Sequence, residues 1–266
     1  MTCNLCGGGA RQFLWNVKGY KIFRCPTCDL IYADVSRENL RNAYESDYYR
    51  KIYPGYETDR NVHNMNNKVI LDAIEGFSKG GKLLEIGSAF GFFLKSAEDR
   101  GWHVVGFETS NYASTVAREK FGLDVRNADF LTQPVEGQYD FVCLLDTLEH
   151  LTDPSSVIQK IVGILSPKGG IIITTADINS FPSRLFGKRW RMIAPPFHIY
   201  YYTLKTLSHL LTKHGLTIVS VKYSGKYQNL GSILQYSLGI SKARFPVIPI
   251  YVNLRDIMTV IARIRA

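Results

Sequence analysis

Four of the five cysteines fall in two pairs, Cys3-x2-Cys6 and Cys25-x2-Cys28, with 18 residues between the pairs. Each pair offers two thiolates from one tight turn, and two such turns close a tetrahedron around zinc with no coordination position left open. Such a site is structural rather than catalytic. Gly7, Gly8 and Gly9 after the first pair, and Pro26 inside the second, supply the backbone angles that these knuckles need. Two disulfides are the competing use of the same residues, but nothing suggests export and cytosolic thiols stay reduced. Cys143 lies in an apolar run and reads as a small core residue.

A second cluster is Glu85-Ile86-Gly87-Ser88-Ala89-Phe90-Gly91. Gly87 permits a tight turn, Ala89 is small enough for close approach, and Gly91 opens a helix. A pyrophosphate cradle asks for Gly-x-Gly-x-x-Gly behind an uncharged strand end. Here the spacing is Glu-x-Gly-x-Ala-x-Gly, and a carboxylate at that point suits a cationic ligand better than a diphosphate. Two more acids follow at intervals of about 20 residues, Glu108 ending an apolar run and Asp129 preceding Phe130. Further on, Leu145-Asp146 leads into Glu149-His150. An imidazole titrates near neutral pH and suits general-base work, although a histidine bonding backbone is an equally good reading.

These residues need a scaffold, and residues 82–175 alternate short apolar runs with amphipathic segments, the pattern of a doubly wound α/β sheet. Strands are expected at Lys82–Ile86, His103–Phe107, Phe141–Leu145 and Gly170–Thr175. Helices are expected at Val62–Phe77, Lys95–Arg100, Tyr112–Phe121 and Pro154–Leu165. Such sheets bind ligands at the carboxyl ends of their strands, which is where the acids and glycines fall. Phe13–Phe23 reads as a hairpin turning at Lys18-Gly19. Thr203 caps a helix to about His214, Leu216–Tyr223 forms a strand, and Ile257–Ile264 is expected as a last, antiparallel strand, with an amphipathic helix as the alternative. That leaves 178–196 as a long connection and 228–250 as an insertion between the last two strands. The insertion is read as a cap over the site, a membrane-surface contact, or ordinary packing.

With these motifs in this order, the chain resembles the class I S-adenosylmethionine-dependent methyltransferases. The resemblance implies a Rossmann-like α/β fold, a mostly parallel sheet with its last strand antiparallel, and S-adenosylmethionine as methyl donor. It implies that Glu85, Gly87, Ser88, Ala89 and Gly91 hold the methionine end, Glu108 and Thr109 the ribose, and Asp129 with Phe130 the adenine. Leu145, Asp146, Glu149 and His150 would then line the loop beside the transferred methyl group. Ala89 departs from the glycine commoner there. The layout is also similar to a narrower bacterial group with an N-terminal four-cysteine zinc module, a Tyr-x3-Tyr segment (Tyr44, Tyr48) and a Pro-x2-His-x2-Tyr stretch (Pro195, His198, Tyr201). Members act on small, often sugar-linked acceptors, which casts Tyr44, Tyr48 and His198 as acceptor-pocket residues. The organisation expected is a zinc ribbon over 1–35, a helical linker or lid over 36–80, and a donor-binding domain over 81–266.

The chain has 266 residues, with 45% hydrophobic and 21% charged side chains, which excludes wholesale disorder and a polytopic membrane protein. No apolar run reaches the roughly 18–20 residues that span a bilayer, and no signal-peptide pattern opens it, so a cytoplasmic location is expected. Its net charge of +9 is unevenly placed: residues 178–266 carry 13 basic side chains against one acid, Asp256. That points to an anionic partner, either a phosphate-bearing acceptor, a membrane surface reached peripherally, or RNA. The leading expectation is methyl transfer to a small sugar- or phosphate-bearing acceptor. Its rivals are RNA methylation, against which stands the lack of an Asn-Pro-Pro-Tyr-type motif, and a catalytically silent binding module.

Overall fold

The computed structural model describes residues 2–36, 59–238 and 246–265. Seven strands form the main sheet in the order β10-β13-β8-β7-β4-β5-β6. They are β4 (Gly81–Ile86), β5 (Trp102–Glu108), β6 (Val125–Asn127), β7 (Tyr139–Leu145), β8 (Leu165–Ala176), β10 (Leu216–Lys222) and β13 (Ile257–Ile264). The pairs from β6 through β8 are parallel, and β13 runs antiparallel to both β8 and β10. Parallel strands are covered on both faces, so they must be apolar throughout rather than alternating. Leu83–Ile86 in β4 and Phe141–Leu144 in β7 are buried without a break.

The helices cover these faces because each presents an apolar stripe. In α1 (Arg60–Glu75) the buried residues are Val62, Asn67, Leu71 and Ile74. Helix α2 (Phe92–Glu98) starts three residues earlier than expected, since Phe92, Phe93 and Leu94 belong to its buried face rather than to the preceding loop. Ser110 caps α3 (Asn111–Phe121) by accepting from Ala113 N–H, and Asp153 caps α4 (Pro154–Ile164) by accepting from Ser156 N–H. Helix α6 (Leu204–Lys213) opens with a capping box between Thr203 and Thr206. The long connection after β8 holds a helix not foreseen from sequence, α5 (Phe181–Phe186), capped by Ser180.

The N-terminal module is fused to this domain. Strands β1 (Gln12–Val17), β2 (Tyr20–Arg24) and β3 (Ile31–Ala33) form a sheet whose fourth strand is β9 (Tyr200–Tyr201). Ile31 pairs with Tyr201 and Tyr32 with Tyr200. Asn4 grips the start of α4, donating to Asp153 and accepting from Ser155 N–H, and Lys213 Nζ donates to the Leu5 carbonyl. One apolar cluster runs from Leu5, Ile22 and Leu30 through Ile158 and Leu210 to Ile171 and Val260.

The expected 228–250 insertion is wider, from Lys226 to Val252. It forms a two-stranded sheet, β11 (Lys226–Asn229) with β12 (Pro249–Val252), and α7 (Leu230–Leu238). It lies on α1: Asn66 and Tyr227 exchange two hydrogen bonds, and Asn229 Nδ2 donates to Asp59. Among the described residues, no helix is long and apolar enough to cross a membrane. Tyr44 and Tyr48 lie outside the described residues.

Candidate functional site

The sheet changes direction between β4 and β7, because β4 leads to β5 on one side and β7 pairs on the other. The crevice at their carboxyl ends is where such sheets bind ligands. Gly87 follows β4 with φ +75°, and a Cβ there would meet Thr147, which follows β7, at 2.7 Å. Gly91 also has φ +75°, and a Cβ would strike Leu123 at 2.7 Å. Ala89, between them, holds φ +47° despite its side chain. Both glycines are therefore demanded by their backbone angles and by the side chains packed against them, which fixes the shape of the turn.

Two buried carboxylates flank it. Glu108 accepts from Ala89 N–H at 2.9 Å and from Ser110 N–H at 2.7 Å, tying the end of β5 to the turn. Asn127 donates to the Glu108 and Thr109 carbonyls and fixes that strand end from the other side. Glu85 Oε2 and Ser88 Oγ are buried with no hydrogen-bond partner. Burial, then the Glu108 charge, pushes the Glu85 carboxyl far above its usual range. A buried carboxylate oxygen and hydroxyl left without partners beside this turn fit a ligand with a cationic, hydrogen-bonding end. Asp129 stands exposed at the edge, its Oδ1 accepting from Leu131 N–H. Phe130 turns its ring into the core against Phe107, with centroids 5.3 Å apart.

The loop after β7 brings the remaining candidates together. Asp146, at φ +51°, is held by Thr174 and paired with Lys226 of the insertion. Its surroundings work against its charge, but Lys226 outweighs them and keeps the carboxyl below its ordinary range. Glu149 is 2% exposed, with Oε2 accepting from Thr175 and Oε1 unpartnered. Burial and the Asp146 charge push it up to about 8. His150 and His198 stand edge to face, with ring centroids 4.8 Å apart. Nδ1 of His150 meets the Phe197 carbonyl at 3.0 Å, and Nδ1 of His198 meets the Met192 carbonyl at 2.7 Å. Burial, then His198, pushes His150 down to about 3, and burial lowers His198 as well.

Beyond the end of β8 lies a cavity of about 560 Å³ lined by Asp177, Asn179, Ser180, Tyr223 and Arg255. Tyr223 donates to Asp177 at 2.7 Å. Asp177 is two residues beyond Thr175, the partner of Glu149. The cavity residues come from three distant segments and no spacing rule joins them, so sequence reasoning missed them.

At the cysteine module, Cys3 and Cys28 have their sulfurs 3.5 Å apart, as do Cys6 and Cys25. All four sulfurs lie within 4.8 Å of one another and none is in a disulfide. Tetrahedral thiolates about 2.3 Å from zinc lie roughly 3.8 Å apart, so this cluster fits the ion.

Residues 56–221 match the profile of a methyltransferase domain family. Among curated relatives, the ubiquinone biosynthesis O-methyltransferase of Acinetobacter baumannii (strain AYE) is 26% identical over 175 residues, which is 60% of this chain and 74% of that protein. The corresponding enzyme of Pseudomonas aeruginosa (strain UCBPP-PA14) is 31% identical over 107 residues, 38% of this chain and 46% of that one. Among solved structures, magnesium protoporphyrin IX methyltransferase from Synechocystis PCC 6803 with bound S-adenosylhomocysteine superposes with a TM-score of 0.59 at 18% identity, over 87% of this chain and all of that chain. A possible histamine N-methyltransferase from Thermotoga maritima gives 0.55 at 17% identity, over 84% of this chain and 98% of that one. These likenesses establish the fold. The family match covers more than half the chain and spans the glycine turn, the Glu108 strand end and the Glu149-His150 loop: the chain belongs to the methyltransferase domain family.

Proposed function

We propose that this chain transfers a methyl group to a small sugar- or phosphate-bearing acceptor. The observation that carries this reading is the cavity beyond β8. The relatives are named for ubiquinone and porphyrin chemistry, and flat ring systems ask for an apolar slot. This cavity instead offers a buried carboxylate, a tyrosine hydroxyl, an asparagine, a serine and a guanidinium. Those groups pair with hydroxyls, and Arg255 matches a phosphate. A membrane-side acceptor fits as well: beside the cavity, Phe181, Leu185 and Phe186 are 75%, 63% and 57% exposed, with Arg184, Lys188 and Arg189 around them.

When bound, S-adenosylmethionine supplies a methyl carbon already activated on a sulfonium. The protein must align it, exclude water and deal with one acceptor proton. In this reading Glu85, Gly87, Ser88, Ala89 and Gly91 receive the cationic methionine end, Glu108 and Thr109 the ribose, and Asp129 and Phe130 the adenine edge. Leu145 and Asp146 close the crevice from the β7 side, with Lys226 fastening the insertion across it. In this reading Glu149, His150 and His198 face the acceptor; His150 is the candidate base, and because burial opposes its imidazolium it would pass the acceptor proton on rather than hold it. Tyr44 and Tyr48 remain candidates for the pocket wall. In this reading residues 1–35 hold structural zinc and brace the acceptor side, and four reduced thiolates suit a reducing, cytoplasmic compartment.

The test is to incubate the protein with methyl-labelled donor and an extract of cells lacking it, then to separate RNA, lipid-extractable and small soluble fractions. Label in the lipid or small fraction is expected. Label released by RNase would overturn the acceptor class and leave the donor site standing.

A further inference from the structure

We infer that α5 and the turn after it dock this protein on an anionic lipid bilayer. Helix α5 is built the opposite way from a helix on a water-facing surface. It turns Pro182 and Ser183 inward, both buried, and leaves Phe181, Leu185 and Phe186 in solvent. Phe181, Arg184 and Leu185 stand at i, i+3 and i+4 and so share one face. Single apolar side chains on a surface need no explanation, whereas three large ones on a six-residue helix, rimmed by cations, mark a contact.

This exposure is not fraying. Ser180 caps the helix by accepting from Ser183 N–H, and ahead of it Ile178 N–H donates to the Tyr202 carbonyl. Behind it Trp190 is buried, with Nε1 donating to Asp256, and Ile193 is buried as well. A segment fixed at both ends holds its apolar side chains in water, and an apolar phase that accepts them removes the cost of doing so.

Charge says which phase. Lys188 and Arg189 follow the helix in a single turn, Gly187–Arg189, and are exposed like Arg184. The one acid of residues 178–266, Asp256, is buried and taken up by Arg191 and Trp190, so nothing within this segment offsets the three cations. Two copies of this chain meeting face to face through the patch would set these cations against one another. A bilayer with anionic headgroups meets both needs, since its acyl boundary takes Phe181, Leu185 and Phe186 while its phosphates take Arg184, Lys188 and Arg189. Asn179 and Ser180, which lead into α5, also line the cavity beyond β8, so docking would set the mouth of that cavity at headgroup level. That consequence rests on the cavity being the acceptor pocket, but adsorption to lipid does not depend on it.

The experiment floats the full-length protein with vesicles of equal parts phosphatidylcholine and phosphatidylglycerol, and with vesicles of phosphatidylcholine alone. Binding to the mixed vesicles, weakened by added salt, is expected, with little binding to the neutral ones. The Lys188→Gln, Arg189→Gln variant should bind roughly 5-fold more weakly per cation removed. The Phe181→Ser, Leu185→Ser variant should lose roughly 10-fold or more, and because both side chains point to solvent its melting temperature should not fall. Equal binding of the parent to neutral and mixed vesicles, no binding to either, or equal binding of parent and Phe181→Ser, Leu185→Ser variant overturns the inference, as does a parent dimer that the same variant abolishes. Methyl transfer is scored separately: vesicle binding with label only in RNA refutes the acceptor class and upholds the docking surface, whereas labelled lipid without vesicle binding does the reverse.

Discussion

The Ile199 N–H donates to the Glu149 carbonyl at 2.8 Å, one residue after His198 and one residue before β9. Because β9 is also the edge partner of β3, the four-cysteine module, the Pro195–Tyr202 strap and the loop after β7 form one chain of backbone contacts. The module thus braces the Glu149-His150 loop, the acceptor side in the proposed reading, while the glycine turn hangs from β4 and β5.

Disrupting the cysteine cluster should therefore separate the two half-sites. In a Cys25→Ser, Cys28→Ser variant, donor affinity by calorimetry should stay within a few-fold while turnover falls by about two orders of magnitude or more, since a misplacement of about 1 Å costs that much. Loss of donor binding in parallel with turnover would mean that the module supports the whole fold and does not position one side.

The Glu108 carboxylate accepts the Ala89 and Ser110 amides at once, so it both shapes the turn and faces the donor crevice. Glu108→Gln keeps the volume but removes the charge and replaces one acceptor oxygen by a donor. Hydrogen bonds to charged groups contribute about 1.5–3 kcal/mol, so donor affinity should fall roughly 10–100-fold. Titration calorimetry reads this directly, and an unchanged affinity would remove Glu108 from the donor site.

Gly87→Ala places a Cβ 2.7 Å from Thr147 at a φ of +75°. Strain of this kind costs about 1–3 kcal/mol. The melting temperature should drop, and donor binding should weaken more than stability does because the turn itself must shift. Thr147→Ala in the same chain relieves the steric part alone, so partial rescue of stability without recovery of binding is the expected signature.

Much of this site could be read locally, and the exceptions share one cause. The Glu85-to-Gly91 turn, Glu108 and the Glu149-His150 pair each announce themselves by a carboxylate or glycine at the end of an apolar run. Strand β9 could not, since Tyr200 and Tyr201 become a strand only by pairing with Ile31 and Tyr32, nearly 170 residues away in sequence. Asp177, Tyr223 and Arg255 likewise meet only in space. Helix α5 did carry a local signal, the cap-and-proline run Ser180-Phe181-Pro182, but its apolar side chains point outward and show no core-facing period. The edges of the insertion were misjudged because Lys226 and Tyr227 are fixed by Asp146 and Asn66, not by anything beside them.

The Lys226 ammonium is the insertion's ionic tie to Asp146. Since Asp146 titrates below the usual carboxylate range, the tie is fully formed above that range and is lost only as the pH falls through the lowered value. At neutral pH it should thus be intact, and Lys226→Met should make the 226–252 segment more sensitive to limited proteolysis. Acceptor KM should rise more than kcat falls, and equal sensitivity of parent and variant to protease at pH 7 would show that α1 contacts alone hold the insertion.

His150 and His198 touch each other and sit on separately anchored loops, so their variants test whether they act as a unit. Removal of a group that handles a proton in the transition state costs about 10²–10⁴-fold. His150→Ala and His198→Ala should each fall in that range with donor affinity preserved. If either loss disables the same device, the double variant should be no slower than the worse single one, because the effects of residues acting together do not add. Multiplicative losses in the cycle would instead assign the two imidazoles independent tasks, one at the proton and one in holding the acceptor, and near-normal turnover in His150→Ala would take that residue out of the chemistry.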